Sequence, residues 1–166
     1  MVDKPADDGW FDLFKGSDKP DGGNYDQITE NIFLGGYTAA ENKKTLQEIM
    51  KVDAVLTVAD SLEPKFPFYF EYKVIEISDD PESNLKQHLL ECIEFIDEIV
   101  KKGKRVYVHC AAGVSRSAST VLAYMMASKN ISLNDAYDLV SAKRPCIKPN
   151  DGFVAQLKLF EQDLRN

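Results

Sequence analysis

The sequence contains one cysteine and one arginine whose spacing lets both act on the same anion. Cys110 stands six residues before Arg116. A thiolate is a strong nucleophile, and a guanidinium offers a fork of N–H donors that matches two oxygens of a phosphate group. The pair therefore predicts attack by Cys110 on a phosphoester whose oxygens are held by Arg116. The five residues between the two carry no charge: Ala111, Ala112, Gly113, Val114 and Ser115.

The sequence around this pair has the pattern of a strand, a short loop and a helix. Residues 106–109 are β-branched or aromatic up to a final histidine, which is typical of a buried strand, and residues 118–126 have the apolar pattern of a helix. In such a turn the backbone N–H groups converge on one point, and the helix dipole adds partial positive charge there. The amides of residues 111–115 are therefore predicted to bind the phosphate together with Arg116.

Three further residues of the segment fit the same chemistry. Gly113 suits a turn that needs an unusual dihedral angle or a close approach to the ligand. Ser117 is expected to hydrogen-bond the sulfur and ease its departure when a covalent intermediate breaks down. His109 is expected to fix the loop through a ring N–H and to help hold the thiolate, rather than to act as an acid or a base.

The positions of these residues depend on the elements around them, and the chain alternates strands with helices. Such alternation predicts an α/β fold with a mostly parallel central sheet and helices on both faces. Ligands of such sheets bind beyond the carboxyl ends of the strands, where Cys110 would lie. The predicted strands are 25–29, 31–34, 54–58, 73–77 and 105–109, and the predicted helices are 38–50, 85–100, 117–129, 132–142 and 150–164.

A second catalytic group is expected in the loop after the strand at 73–77. A departing alcohol or phenol needs a proton, and an acid inside the anion loop would repel the substrate. Asp79 and Asp80 follow the carboxyl end of a strand, which places both on the same rim as Cys110. Position alone leaves either one as the acid, and a plain helix-capping loop is the other explanation.

Composition limits the class of protein and its partners. The chain has 166 residues, of which 44% are hydrophobic and 28% are charged, as expected of one globular domain. Its net charge of −7 argues against a nucleic-acid partner, and no apolar run approaches the length of a membrane span. Three cysteines without framework spacing, one of them a catalytic thiolate, predict a reducing compartment, the cytoplasm or the nucleus.

Residues 1–24 differ from the rest of the chain. They are rich in Asp, Gly, Lys and Pro, which is typical of a tail or linker, and we interpret them as an N-terminal extension of a domain that covers 25–166. An apolar cluster inside the extension either docks on its own domain or binds a partner. Its members are Trp10, Phe11, Leu13 and Phe14.

The loop from His109 to Ser117 resembles the signature loop of cysteine-dependent protein tyrosine phosphatases, and specifically that of the compact dual-specificity branch. The resemblance covers roughly residues 25–164. Four other segments resemble that family in the family's order: 31–36, 72–79, 122–126 and 144–150.

The resemblance implies roles for three residues outside the loop. Asp79 matches the position of the family's acid. Arg144 matches a position able to contact a second phosphate, against the alternative of a solvated residue at a helix end. Asn150 matches a position that braces the anion loop by hydrogen bonding, a role compatible with an ordinary helix N-cap.

The resemblance also implies the protein tyrosine phosphatase-like fold and the hydrolysis of phosphotyrosine and phosphoserine or phosphothreonine through a cysteinyl-phosphate, without cofactor or metal. The expected substrates are phosphorylated proteins, including doubly phosphorylated segments such as kinase activation loops, and the expected state is a monomer. Two alternatives stay open. One is a same-fold phosphatase acting on a phosphoinositide, a phosphoglucan or an RNA 5′ end, and the other is a non-catalytic phospho-binding module.

Overall fold

The computed structural model describes residue 19, residue 21 and residues 23–166. Most of the predicted extension lies outside the described residues, and so does its apolar cluster at Trp10, Phe11, Leu13 and Phe14. The described residues before Tyr25 pack on the domain. Lys19 forms an ion pair with Asp26 at 2.9 Å, and Asp21 accepts a hydrogen bond from the Thr45 hydroxyl at 2.7 Å.

A five-stranded sheet forms the centre of the described part of the chain. Its strand order is β1-β2-β5-β3-β4, with β1 antiparallel to β2 and every other neighbouring pair parallel. The predicted mostly parallel sheet is confirmed, and the carboxyl ends of its four parallel strands meet at one edge. The strands are β1 (Tyr25–Gln27), β2 (Ile32–Gly35), β3 (Ala54–Val58), β4 (Glu71–Ile75) and β5 (Val106–His109).

Helices cover both faces of this sheet, as predicted. Ser132 and Asn150 cap the last two helices, because their side chains accept hydrogen bonds from the backbone N–H groups of Asp135 and Phe153. The elements are α1 (Tyr37–Ala40), a π-helical turn (Thr45–Ile49), α2 (Lys86–Lys101), α3 (Arg116–Lys129), α4 (Leu133–Lys143) and α5 (Asp151–Arg165).

The three central strands, β2, β5 and β3, are buried on both faces, so successive residues enter two different cores. In β5, Val106 and Val108 pack with α2 to α5, whereas Tyr107 between them packs with α1 and the π-helical turn. The helix α3 is buried from Arg116 to Met126. The anion loop between β5 and α3 is therefore held at both ends by the most buried elements of the fold.

Two predicted elements differ clearly from the structure, and the strand predicted at 25–29 ends two residues early, at Gln27. The single helix predicted at 38–50 is broken into α1 and the π-helical turn, because the Asn42 side chain accepts from the Thr45 N–H at 3.1 Å and competes with continuous helical bonding. The strand predicted at 73–77 runs from Glu71 to Ile75, two residues earlier. None of the helices in the described residues is both long and apolar enough to span a bilayer.

Candidate active site

The loop between β5 and α3 changes direction at Gly113, which no other residue can replace without strain. Gly113 has φ +70°, which confirms the predicted unusual dihedral angle. A Cβ atom at this position would lie 2.3 Å from the carbonyl carbon of Gly35. The loop therefore packs directly against the end of β2, backbone to backbone.

The carbonyl oxygens of the loop accept hydrogen bonds from residues outside the loop. The Tyr37 N–H donates to the Ala111 carbonyl at 3.0 Å, and the Asn24 side-chain amide donates to the Ala112 carbonyl at 3.1 Å. Arg144 Nε donates to the Gly113 carbonyl at 2.8 Å. With three successive carbonyls turned outward, the N–H groups of the same peptides face the inside of the loop, where that of Gly113 meets the Cys110 sulfur.

Arg144 is a buried brace of this loop, and both sequence interpretations of it are wrong. Its side chain is 3% exposed, so it is not a solvated helix end. Besides the Gly113 carbonyl, its guanidinium donates to Asp26 at 2.9 Å and to Asn24 at 2.7 Å. Because these partners occupy the guanidinium, Arg144 is not placed to contact a second phosphate. Asn24, which the sequence assigns to the extension, belongs to the same brace and hence to the domain.

The Cys110 sulfur makes one hydrogen bond with its own loop and one with α3. The Gly113 N–H donates to Sγ at 3.2 Å, and the Ser117 Oγ lies 3.1 Å from Sγ. Both contacts fix the sulfur beside the N-terminus of α3. The first turn of α3 has no side-chain cap, so its N–H groups and its dipole also face this point.

Arg116 has one nitrogen of its guanidinium anchored, whereas its buried Nε has no partner among the described residues. NH1 donates to Asp60 at 2.6 Å and to the Ile77 carbonyl at 3.0 Å. The Nε atom is buried and has no hydrogen-bond partner among the described residues. A buried donor without an acceptor is costly, which indicates that an oxygen of a bound anion completes this position.

Asp60, which anchors Arg116, was not singled out by the sequence. It follows β3 at the carboxyl end and its pKa is held below the usual range mainly by the hydrogen bond from Arg116 and by one from Ser78. Asp60 therefore stays ionised and fixes the orientation of the guanidinium. The only sequence signal was its place at the end of a parallel strand.

His109 is neutral and structural. Burial lowers its pKa from 6.5 to about 4. Its Nδ1 lies 3.2 Å from the Cys110 carbonyl, which can only accept, so Nδ1 carries the proton and Nε2 accepts from the Thr57 hydroxyl at 2.8 Å. The predicted role in fixing the loop through a ring N–H is consistent with this geometry. Thr57 was missed because its partner is 52 residues away.

This burial predicts that acid destabilises the protein through His109. Between pH 6.5 and about 4 the unfolded chain binds a proton that the folded chain does not, so the free energy of unfolding decreases as the pH falls through this window. The loss attributable to His109 is about 3 kcal/mol once both states are protonated. Urea unfolding of the wild type and of His109→Gln at pH 7 and pH 4.5 measures it.

His88 provides the matched control, because it is the second of two histidines in the chain and lies half-buried on α2. His88→Gln should keep the acid-dependent loss, whereas His109→Gln should lose about 2 kcal/mol of it. Equal acid sensitivity in the wild type and in His109→Gln would contradict the neutral, buried histidine.

The structure distinguishes the two candidate acids. Asp79 lines the same pocket as Cys110 and Arg116, and its carboxylate accepts from the Asn150 side-chain amide at 2.9 Å. The Asp80 carboxylate instead accepts from the Glu82 N–H at 2.9 Å and caps the following turn. Asn150 thus positions Asp79 while its side chain also caps α5. The backbone N–H of Asn150 donates to Ser115 Oγ at 2.9 Å, and this contact braces the loop.

The pocket built by these residues has a volume of about 320 Å³ and holds Cys110 at its base. Its size suits a phosphate with part of the side chain that carries it. The residues that line it are Tyr37, Asp79, Cys110, Ala111, Ala112, Val114, Ser115 and Arg116. Within the described ranges no group of three or more His, Cys, Asp or Glu side chains is arranged to hold a metal ion.

Comparisons with known proteins agree with this geometry. Residues 32–163 match the family model of the dual specificity phosphatase catalytic domain. Dual specificity protein phosphatase 1 of Arabidopsis thaliana is 41% identical over 138 residues, which are 83% of this chain and 69% of the relative. MAP kinase phosphatase with leucine-rich repeats protein 2 of Dictyostelium discoideum is 43% identical over 139 residues, covering 84% of this chain and 20% of the relative.

A solved structure is similar over nearly its whole length. The crystal structure of the human tyrosine phosphatase-like serine/threonine/tyrosine-interacting protein superposes with a TM-score of 0.82 at 32% identity, covering 86% of this chain and 99% of that one. The similarity therefore extends over the described domain, whereas most of the longer amoebal relative has no counterpart in the matched region.

Proposed function

The chain belongs to the dual specificity phosphatase family, and we propose that Cys110 is its nucleophile. Membership of this family makes the chain a protein phosphatase for phosphotyrosine and for phosphoserine or phosphothreonine. One observation carries this assignment. Cys110, whose sulfur lies within hydrogen-bond distance of the Gly113 N–H and the Ser117 hydroxyl, lines one pocket with Arg116, whose Nε has no partner among the described residues, and an anion of phosphate size fits this pocket.

In the first step, the Cys110 thiolate attacks phosphorus and the bond from phosphorus to the side-chain oxygen breaks. Asp79 gives its proton to that departing oxygen, so the substrate leaves as an alcohol or a phenol. The loop amides and Arg116 bind the equatorial oxygens of the transferring group throughout. Because the donors are already oriented by Asp60 and by the brace of Arg144, little rearrangement accompanies charge development.

In the second step, water attacks the cysteinyl-phosphate and the phosphorus–sulfur bond breaks. Asp79, now ionised, takes the proton of the attacking water, and inorganic phosphate is released. The Ser117 hydroxyl, 3.1 Å from the sulfur, donates to the thiolate as it departs. The cycle returns Asp79 and Cys110 to their starting protonation states.

The proposed substrates are phosphorylated proteins, among them protein kinases. The name of the Dictyostelium relative supports the kinase class. A doubly phosphorylated segment would need a second anion site other than Arg144, whose guanidinium is occupied.

Both alternative functions have a specific observation against them. The pocket wall between Cys110 and Arg116 is uncharged, whereas a highly phosphorylated lipid headgroup would favour lysines there. A purely phospho-binding module has no need of a carboxylate aimed into the pocket, and Asp79 is held there by Asn150.

We further propose that the protein acts as a monomer in the cytoplasm or the nucleus and does not bind nucleic acid. All three cysteines are free, and the mechanism needs a reduced Cys110, which a reducing compartment supplies. The net charge of −7 disfavours attraction to nucleic acid.

A substrate panel tests the proposed function. We expect purified protein to release phosphate from phosphotyrosine peptides, from phosphoserine or phosphothreonine peptides and from an aryl phosphate, and to act at least about tenfold less efficiently on phosphoinositides. Turnover confined to phosphoinositides would support the lipid alternative. Binding of phosphopeptides without turnover of any panel member would support the binding module.

A further inference from the structure

A second cavity lies beside the pocket that holds Cys110. Its volume is about 580 Å³, larger than that of the catalytic pocket. Tyr37 lines both cavities, and His109, at the wall of the second, directly precedes Cys110. The cavity is therefore within reach of residues on one side of the phosphorylated position when the phosphate lies over Cys110.

Part of the wall of this second cavity is aromatic or aliphatic. Tyr37 and Tyr72 contribute rings, and Leu62 and Pro64 contribute aliphatic surface. Leu62, Pro64 and Tyr72 are half-buried. Such walls suit the apolar stem of a long side chain, since stems of lysine and arginine pack on apolar surface while their charged ends stay at the polar rim. Aromatic rings add attraction for a cation.

The charges at this cavity are mainly negative. Three exposed carboxylates line it, Glu41, Glu63 and Glu76, against the single ammonium of Lys65. A second phosphate would be repelled here, and an acidic side chain likewise. A cationic side chain is the occupant that matches both the apolar walls and the carboxylates.

We propose that this cavity, lined by Tyr37, Tyr72, Glu41, Glu63 and Glu76, binds a lysine or arginine side chain of the phosphoprotein substrate, on one side of the phosphorylated residue. The inference rests on the proposed function, because the segment is placed by its phosphate at Cys110. It adds a specificity site: the chain selects phosphorylated residues that have a basic neighbour on that side.

A positional peptide scan tests the proposal. A phosphotyrosine peptide with an otherwise neutral sequence carries one lysine at each position from four before to four after the phosphotyrosine, and kcat/KM is compared with that of the all-neutral parent. Each exposed charge pair contributes only modestly to binding. With two or three carboxylates facing one cation, we expect a gain of roughly threefold to tenfold, on one side only and reduced by added salt.

A pair of double variants of equal charge separates the site from general attraction. At the peptide position where lysine raises kcat/KM most in the wild type, Glu63→Gln/Glu76→Gln should reduce that increase to less than about twofold. Glu94→Gln/Glu98→Gln changes the net charge of the protein by the same amount on the exposed surface of α2, away from the cavity, and should leave the gain as in the wild type.

The outcomes separate this inference from the proposed function. Failure of the wild type to hydrolyse the parent peptide or an aryl phosphate would overturn the proposed function itself. Normal turnover of the parent, with no lysine preference or with the same gain at every position, would overturn the basic-residue site alone. A preference that survives in Glu63→Gln/Glu76→Gln would also overturn it.

Discussion

Replacing Cys110 by serine is expected to lower kcat by roughly 10⁴-fold or more, because a hydroxyl is not ionised at neutral pH and cannot form the cysteinyl-phosphate. The substitution keeps the size of the side chain and leaves the amides of the loop and Arg116 in place. Binding of a phosphotyrosine peptide should therefore persist in the variant. Steady-state kinetics measure the first effect, and titration calorimetry with the same peptide measures the second.

The other two cysteines supply controls within the same chain. Cys92 is fully buried in the core, and burial raises the pKa of its thiol to about 12, so it offers no nucleophile. Cys146 is half-buried outside the pocket, and Cys146→Ser is the matched variant that should keep wild-type turnover. More than about 1% of wild-type activity in Cys110→Ser would mean that another group carries the reaction.

The parts of the site that lie close together in sequence were predictable. The strand, loop and helix from Val106 to Lys129 follow from apolar periodicity and from Gly113, since local dihedral preferences determine a short turn between two buried elements. Helix caps at Ser132 and Asn150 follow from the same local chemistry. At Asn42 the side chain competes with the backbone for the Thr45 N–H, and there the predicted helix is interrupted.

The contacts that orient the site join residues far apart in sequence, and periodicity says nothing about them. Arg116 meets Asp60 across 56 positions, and Arg144 meets Asn24 across 120. Asn24 follows two glycines in a polar stretch, so its sequence surroundings are those of a linker although its side chain holds the Ala112 carbonyl. A residue of this kind is recognised only when the fold brings it to the loop.

The interpretation of Arg144 failed for a related reason. An arginine after a helix is solvated in most proteins, and a phosphatase has an evident use for an extra cation near its phosphate. The structure instead turns this arginine toward carbonyl oxygens and a carboxylate, where a buried guanidinium can satisfy several acceptors at once. The positive charge of Arg144 therefore acts on the pocket only from the carbonyl side of the loop.

Asparagine in place of Asp79 is expected to lower kcat/KM for a phosphoserine peptide by about 10²–10⁴-fold, the usual contribution of a positioned general acid. The effect should be much smaller on an aryl phosphate with an activated phenol, because that leaving group departs without a proton. Steady-state kinetics of the wild type and of Asp79→Asn on both substrates measure this difference in kcat/KM.

The neighbouring residue, Asp80, provides a closely matched control. Asp80→Asn changes the same functional group one position along the chain, but the Asp80 carboxylate caps a turn through the Glu82 N–H rather than lining the pocket. We expect this variant to retain activity within a few-fold of the wild type on both substrates. If Asp80→Asn lost activity on the phosphoserine peptide and Asp79→Asn kept it, the roles would be reversed, and the hydrogen bond from Asn150 to Asp79 would support the loop rather than position the acid.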